Sequence, residues 1–100
     1  MRKIESGQFS VWLKNLKDDT ARARIVARVN RLMEGLAGDV SPVGHGISEL
    51  RIQVGPRYRV YFYQRGDTFV ILLSGGDKSS QKRDIATAHR LLDTWRAQHD

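Results

Sequence analysis

Apolar positions along this chain change period twice, from helical to alternating and back. Phe9, Trp12, Leu13 and Leu16 recur three and four residues apart behind Ser6, which predicts a short helix ending near Lys17. Asp18 or Asp19 caps a second helix over Thr20 to Leu36, whose buried stripe is Ile25, Val29, Leu32 and Leu36, with Val26 and Met33 beside it. Gly35, Gly38, Pro42, Gly44 and Gly46 predict a loop over 37–46. Alternation follows. Leu50, Ile52 and Val54 point one way and Glu49, Arg51 and Gln53 the other, then Tyr58, Val60 and Phe62 oppose Arg59, Tyr61 and Tyr63. Gly55-Pro56-Arg57 between the two runs is turn chemistry, so they form a hairpin.

Pairing Val54 with Tyr58 gathers the six apolar residues on one face and sets Gln53 against Arg59, Arg51 against Tyr61 and Glu49 against Tyr63 on the other. Beyond the Gly66-Asp67 turn, Thr68 to Leu73 is apolar without alternation, as in a central strand covered on both sides. Ser79 or Ser80 caps a last helix whose stripe is Ile85, Ala88, Leu92 and Trp95. With a short edge strand over Arg2 to Glu5, the order is (β)ααβββα. The expected fold is α+β, an antiparallel sheet with helices packed on one face and an open basic face on the other.

One hundred residues make a single domain over 1–100. The absence of cysteine removes disulfide frameworks, thiol nucleophiles and cysteine-ligated zinc, and fits a cytoplasmic location. The run Phe69 to Leu73 is far shorter than the roughly 20 residues of a membrane-spanning helix, and Met1-Arg2-Lys3 leads into no apolar signal region, so no membrane partner is expected.

Seventeen Lys and Arg against eleven Asp and Glu leave a net charge of +6, which points to a polyanionic partner. Arginine supplies most of it, and its planar fork suits phosphates and bases, so nucleic acid ranks above a membrane surface. Arg24, Arg28 and Arg31 make a basic ridge on the second helix, for which a solvated face is the plainer explanation. The sheet face carrying Arg51, Gln53, Arg59, Tyr61 and Tyr63 reads equally as an RNA surface or as a solvated face with cross-strand cation–π pairs. Gly75-Gly76-Asp77-Lys78-Ser79-Ser80 lies between a strand and a helix start, with Lys82 and Arg83 just beyond. Its glycines and cations suit an anion, although the spacing is not that of a P-loop.

His45, His89 and His99 show no metal-binding spacing and no serine elbow is present, so neither a metal nor another cofactor is expected. What remains is a site of Arg and Lys, with Tyr or one carboxylate. Such a site suits RNA, whose 2′-hydroxyl is an internal nucleophile beside the phosphorus and needs only orientation, charge neutralisation and proton movement.

Three stretches together resemble a known family: Ser48-Glu49-Leu50-Arg51-Ile52, Gly55-Pro56-Arg57-Tyr58-Arg59-Val60-Tyr61-Phe62, and Leu72 to Gln81 followed by Asp84-Ile85. The likeness is to the HigB-like "addiction module killer protein" branch of the RelE/ParE toxin superfamily. It extends to Phe9–Leu16, Arg28–Leu32 and Gly38-Asp39-Val40, and so covers nearly the whole chain. The resemblance implies the toxin of a type II toxin-antitoxin pair, an endoribonuclease (mRNA interferase) acting on mRNA at the ribosome. Its antitoxin is expected to be acidic, DNA-binding and of helix-turn-helix type.

On that resemblance Arg51, Arg59 and Lys78 are the expected catalytic residues, with Arg51 and Arg59 holding the scissile phosphate. Tyr61, which would stack a base, joins Gln53, Lys82, Arg83 and Arg57 as RNA-binding residues. Arg57 stands where the family's GPGYR turn has a glycine, and the general base is open among Glu49, Asp77 and His89. The alternative in the same superfamily is a ParE-like poison of DNA gyrase without nuclease chemistry.

Overall fold

Helices begin in this chain where a side chain satisfies the free N–H groups of a first turn. A computed structural model describes residues 1–99. The Ser6 hydroxyl accepts from the Phe9 N–H at 3.0 Å at the start of α1 (Gly7–Lys14), and the Asp18 carboxylate accepts from the Ala21 N–H at 3.1 Å at the start of α2 (Asp19–Met33). The α2 helix stops a turn before Leu36 because Gly35, at φ +83°, takes the left-handed conformation. The Leu36 N–H then turns back to the Arg31 carbonyl and the Gly35 N–H to the Leu32 carbonyl.

Strand β1 (Arg2–Glu5) precedes these helices, and β2 (Val40–Gly44), β3 (Ile47–Ile52), β4 (Tyr58–Arg65) and β5 (Phe69–Gly76) follow them. A 3₁₀ turn over Lys78–Ser80 leads into α3 (Gln81–His99). The sheet order is β1-β5-β4-β3-β2, with β1 parallel to β5 and the other pairs antiparallel. The sheet is therefore mixed and five-stranded among the described residues, where an antiparallel one was expected. The loop expected over 37–46 contains an edge strand, and Pro42 is tolerated in it because an edge strand has unpaired backbone positions.

Both sheet faces are covered, which corrects the expectation of helices on one face and an open basic face on the other. On the first face Phe9, Ala21, Ile25, Val29 and Leu32 of α1 and α2 pack on Leu50, Ile52, Val60, Phe62, Val70 and Leu72. On the second, Ala88 and Leu92 of α3 pack on Ile47, Tyr61, Ile71 and Leu73. Ile71 and Leu73 need a cover, and α3 is the element that supplies it.

The β3–β4 register is two residues from the expected one. Ile52 pairs with Tyr58, Leu50 with Val60, Arg51 with Arg59 and Glu49 with Tyr61. An even shift leaves every side chain on its expected face, so the hydrophobic pattern alone could not distinguish the two registers.

A bulge at β4–β5 pairs Tyr61 with Ser74 but Phe62 with Leu72. Leu73 and Ser74 consequently both serve the α3 side: Leu73 joins that core and the Ser74 hydroxyl donates to the Asp84 carbonyl at 3.1 Å. Gly75 and Gly76 then lie where a Cβ would collide with the Trp12 ring and the Asp84 carboxylate respectively. These glycines make room for protein neighbours, which corrects their reading as a backbone approach for a ligand.

Among the described residues no helix is long and apolar enough to cross a membrane.

Candidate functional site

The observed register brings two arginines directly opposite each other, an arrangement that repels unless an anion intervenes. Glu49, two residues before Arg51 on the same face, is that anion. Its Oε1 lies 3.0 Å from Arg51 Nε and 3.4 Å from Arg59 Nε, and its Oε2 accepts from the Gln81 amide at 2.7 Å. The Glu49 side chain is 0% exposed, so a single buried carboxylate holds two guanidinium groups and anchors the start of α3. Burying a carboxylate is tolerable only with such partners.

The two arginines differ in access. The Arg51 side chain is 35% exposed and also reaches Asp39, with Nη1 at 3.3 Å from the carboxylate. The Arg59 side chain is 10% exposed and donates Nη1–H to the Arg57 carbonyl at 2.8 Å. Arg59 was expected on an open face and is instead buried. Glu49 and Asp39 hold the Arg51 guanidinium still more firmly protonated than usual. At the rim the Gln53 amide donates to Asp39 at 3.2 Å, and this bond, with Arg51, keeps the Asp39 carboxyl below the usual range.

Arg57 has φ +64°, in the left-handed region that costs a residue with a side chain about 1–2 kcal/mol. The turn it closes meets the β5–α3 connection, where the Lys78 N–H points at the Pro56 carbonyl at 3.4 Å. Arg51, Arg59, Arg57 and Lys78 therefore belong to one neighbourhood joined through main-chain and carboxylate bonds. Lys82 and Arg83 are exposed on the first turn of α3 and line an open hollow of about 570 Å³ with Ser79, Ser80 and Ala86.

Asp77 caps the 3₁₀ turn. Its carboxylate accepts from the Ser79 N–H at 2.8 Å and from the Ser79 hydroxyl at 2.5 Å, which holds its carboxyl below the usual range. The stabilisation is therefore complete above the ordinary carboxylate range near pH 4 and lost as pH falls through the lower folded-state value. Asp77→Ala is expected to cost about 1 kcal/mol at neutral pH. In urea unfolding, the gap between the variant and the parent should close on acidification.

Tyr61 does not present a ring to a base. It is 0% exposed, packed under α3, and burial together with the Glu49 carboxylate pushes its phenol well up. Tyr63 lies at the far end of the face, under the Arg96 guanidinium at 5.0 Å, and bonds from Arg65 and Arg96 hold its hydroxyl below the usual phenol range.

None of the three candidates for a general base stands free beside the arginine pair. Glu49 is buried among its partners, Asp77 is a cap, and His89 stacks on His45 with ring centroids 4.9 Å apart. His89 also lies two helical turns, roughly 12 Å, beyond Gln81.

Gln81, Asp39 and Arg28 belong to the neighbourhood and were not legible as such. Arg28 faces inward from α2 and donates to the Arg51 carbonyl at 2.6 Å. It therefore leaves the basic ridge in which its spacing had placed it.

Residues 11–93, from within α1 to the second half of α3, match the family described as phage-derived protein Gp49-like (DUF891). The chain belongs to the Gp49-like family. A relative from Haemophilus influenzae, named "Uncharacterized protein", is 49% identical over 83 residues, covering 83% of this chain and 84% of its own length. Gp49-like proteins are a family of RelE-like toxins, and membership points to a toxin-antitoxin module with an antitoxin as partner. The matched segment contains all the residues of the arginine neighbourhood, from Arg28 and Asp39 to Arg83.

Proposed function

We propose that this protein is an RNA-cutting toxin of a type II toxin-antitoxin pair, HigB-like in its action on mRNA at the ribosome. The observation that supports it most is the pair Arg51 and Arg59, side by side across β3 and β4 and held by one buried carboxylate. Two fixed guanidinium groups suit the two non-bridging oxygens of a phosphodiester and the extra charge of its pentacovalent transition state. In this mechanism the substrate's 2′-hydroxyl gives its proton to water and attacks the adjacent phosphorus, and the bond to the 5′-oxygen breaks as that oxygen takes up a proton, leaving a 2′,3′-cyclic phosphate and a 5′-hydroxyl. Arg51 and Arg59 hold the phosphate, Lys78 supplies charge or a proton at the leaving oxygen, and Arg57, Gln53, Lys82 and Arg83 line the path of the strand. No step needs a metal.

The acidic antitoxin of this reading is a helix-turn-helix DNA-binding protein steered to the +6 toxin by charge, so its association slows with salt.

Inducing the protein in cells and mapping new nucleic-acid ends separates the nuclease from a gyrase poison. The proposal expects new RNA 5′-hydroxyl ends in phase with the reading frame, and growth restored by co-expression of the adjacent reading frame. Gyrase-linked DNA breaks without new RNA ends would contradict it.

A further inference from the structure

We infer that Arg28 is the positioning residue for Arg51, acting through the main chain of β3 and through Asp39; this rests on the nuclease reading of the arginine pair. Arg28 sits on α2, behind the sheet, yet its guanidinium spans two segments that flank the site. Nη1 donates to the Arg51 carbonyl at 2.6 Å and Nη2 to the Ala37 carbonyl at 3.0 Å.

The two bonds fall where the β2–β3 ladder runs out. The Arg51 N–H donates to the Asp39 carbonyl at 3.0 Å, and in a regular antiparallel pair the Asp39 N–H would answer to the Arg51 carbonyl. Among the described residues the bond to that carbonyl comes from Arg28 instead. The connection before β2 is thereby held to β3 by a side chain.

Gly38 makes this possible. It has φ +75°, and a Cβ on it would come to 3.2 Å from Arg28 Nη2. Asp39 follows immediately, and its carboxylate reaches Arg51 Nη1 and the Gln53 amide.

One guanidinium thus fixes both the backbone from which Arg51 projects and the loop carrying the carboxylate that clamps its outer edge, while Glu49 holds its inner edge. A fork with fixed geometry does this, whereas a lysine ammonium keeps the charge and not the two-point span. The half-buried state of Arg28 agrees, since Arg24 and Arg31 on the same helix are exposed.

The test is a double-mutant cycle on the purified full chain: parent, Arg28→Ala, Arg51→Ala and the double variant, with Arg28→Lys and Asp39→Asn alongside. Single-turnover cleavage of ribosome-bound mRNA, affinity for the mRNA-loaded ribosome and urea unfolding are measured on each. Misplacement of a group that touches the reacting phosphate costs rate more than affinity, so Arg28→Ala should lose about tenfold in cleavage rate with affinity changed less than about threefold. In the Arg51→Ala background the same change should cost nothing further. Arg28→Lys should recover only part of the loss. Asp39→Asn, which leaves the Arg28 span intact, gives a smaller loss, and Arg28→Lys carries the cycle if Arg28→Ala fails to fold. Losses that multiply in the double variant, or an Arg28→Ala protein that cleaves like the parent, would overturn the inference.

If the parent itself does not cleave ribosome-bound mRNA, the nuclease reading has failed on its own. The nitrogen-15 signal of Arg51 Nε then decides the positioning claim. It should shift in Arg28→Lys while that of Arg59 stays, and an unmoved Arg51 signal would contradict Arg28 as its positioner.

Discussion

Arg59→Ala is expected to lose about 3 kcal/mol of folding stability together with RNA cleavage, because it removes one partner of a buried ion pair and strands the other. Arg59 is 8% exposed and lies 3.4 Å from a Glu49 carboxylate that solvent does not reach, and its Nη1–H satisfies the Arg57 carbonyl. Arg51 and Gln81 still hold Glu49 in the variant, so the loss falls at the lower end of the range for buried pairs. Urea unfolding measures it, and the double variant Glu49→Gln/Arg59→Ala should recover a large part by neutralising the stranded charge. An Arg59→Ala protein as stable as the parent would show that the pair carries no weight in the fold. The alternating sequence suggested the opposite, an Arg59 that could be removed without structural cost.

Arg51→Ala separates the two roles. Its side chain is 35% exposed and its clamp by Asp39 is at the surface, and although its Nε also donates to the buried Glu49 carboxylate, Arg59 and Gln81 stay beside that carboxylate, so the expected stability cost is smaller than that of Arg59→Ala. Cleavage should fall by at least about a hundredfold, the usual consequence of removing one preorganised group aimed at developing charge. Single-turnover rates with folded protein give the comparison. A folded Arg51→Ala variant that cleaves within about threefold of the parent would remove Arg51 from the reacting phosphate.

The first two helices and their N-terminal caps were legible because apolar spacing and capping are local chemistry, with Ser6 and Asp18 acting within three residues of themselves. The strand faces were legible for the same reason. The stop at the left-handed Gly35 was missed because an apolar Leu36 extends the stripe past it. What else failed depended on a partner far along the chain. The β2 strand shows no apolar alternation, and only its pairing to β3 defines it. A register shift of two residues changed Glu49 from a neighbour of Tyr63 into the link between Arg51 and Arg59.

Tyr61 misled because tyrosine suits both a wet face and a packed one. Ile71 and Leu73 were the better signal, since a strand apolar on both sides demands two covers and α3 was the element left to provide the second. Gly75 and Gly76 suggested a backbone approach for an anion because glycine marks any close approach. Here the approach is by Trp12 and Asp84.

Purified protein with mRNA bound to ribosomes, in Mg²⁺ at the level ribosomes need and with no added zinc or manganese, tests the central claim most directly. The account predicts cleavage that added Zn²⁺ or Mn²⁺ does not increase, with a 2′,3′-cyclic phosphate on the upstream fragment and a 5′-hydroxyl on the downstream one. A strict requirement for either added metal, or 5′-phosphate ends from attack by water, would contradict it.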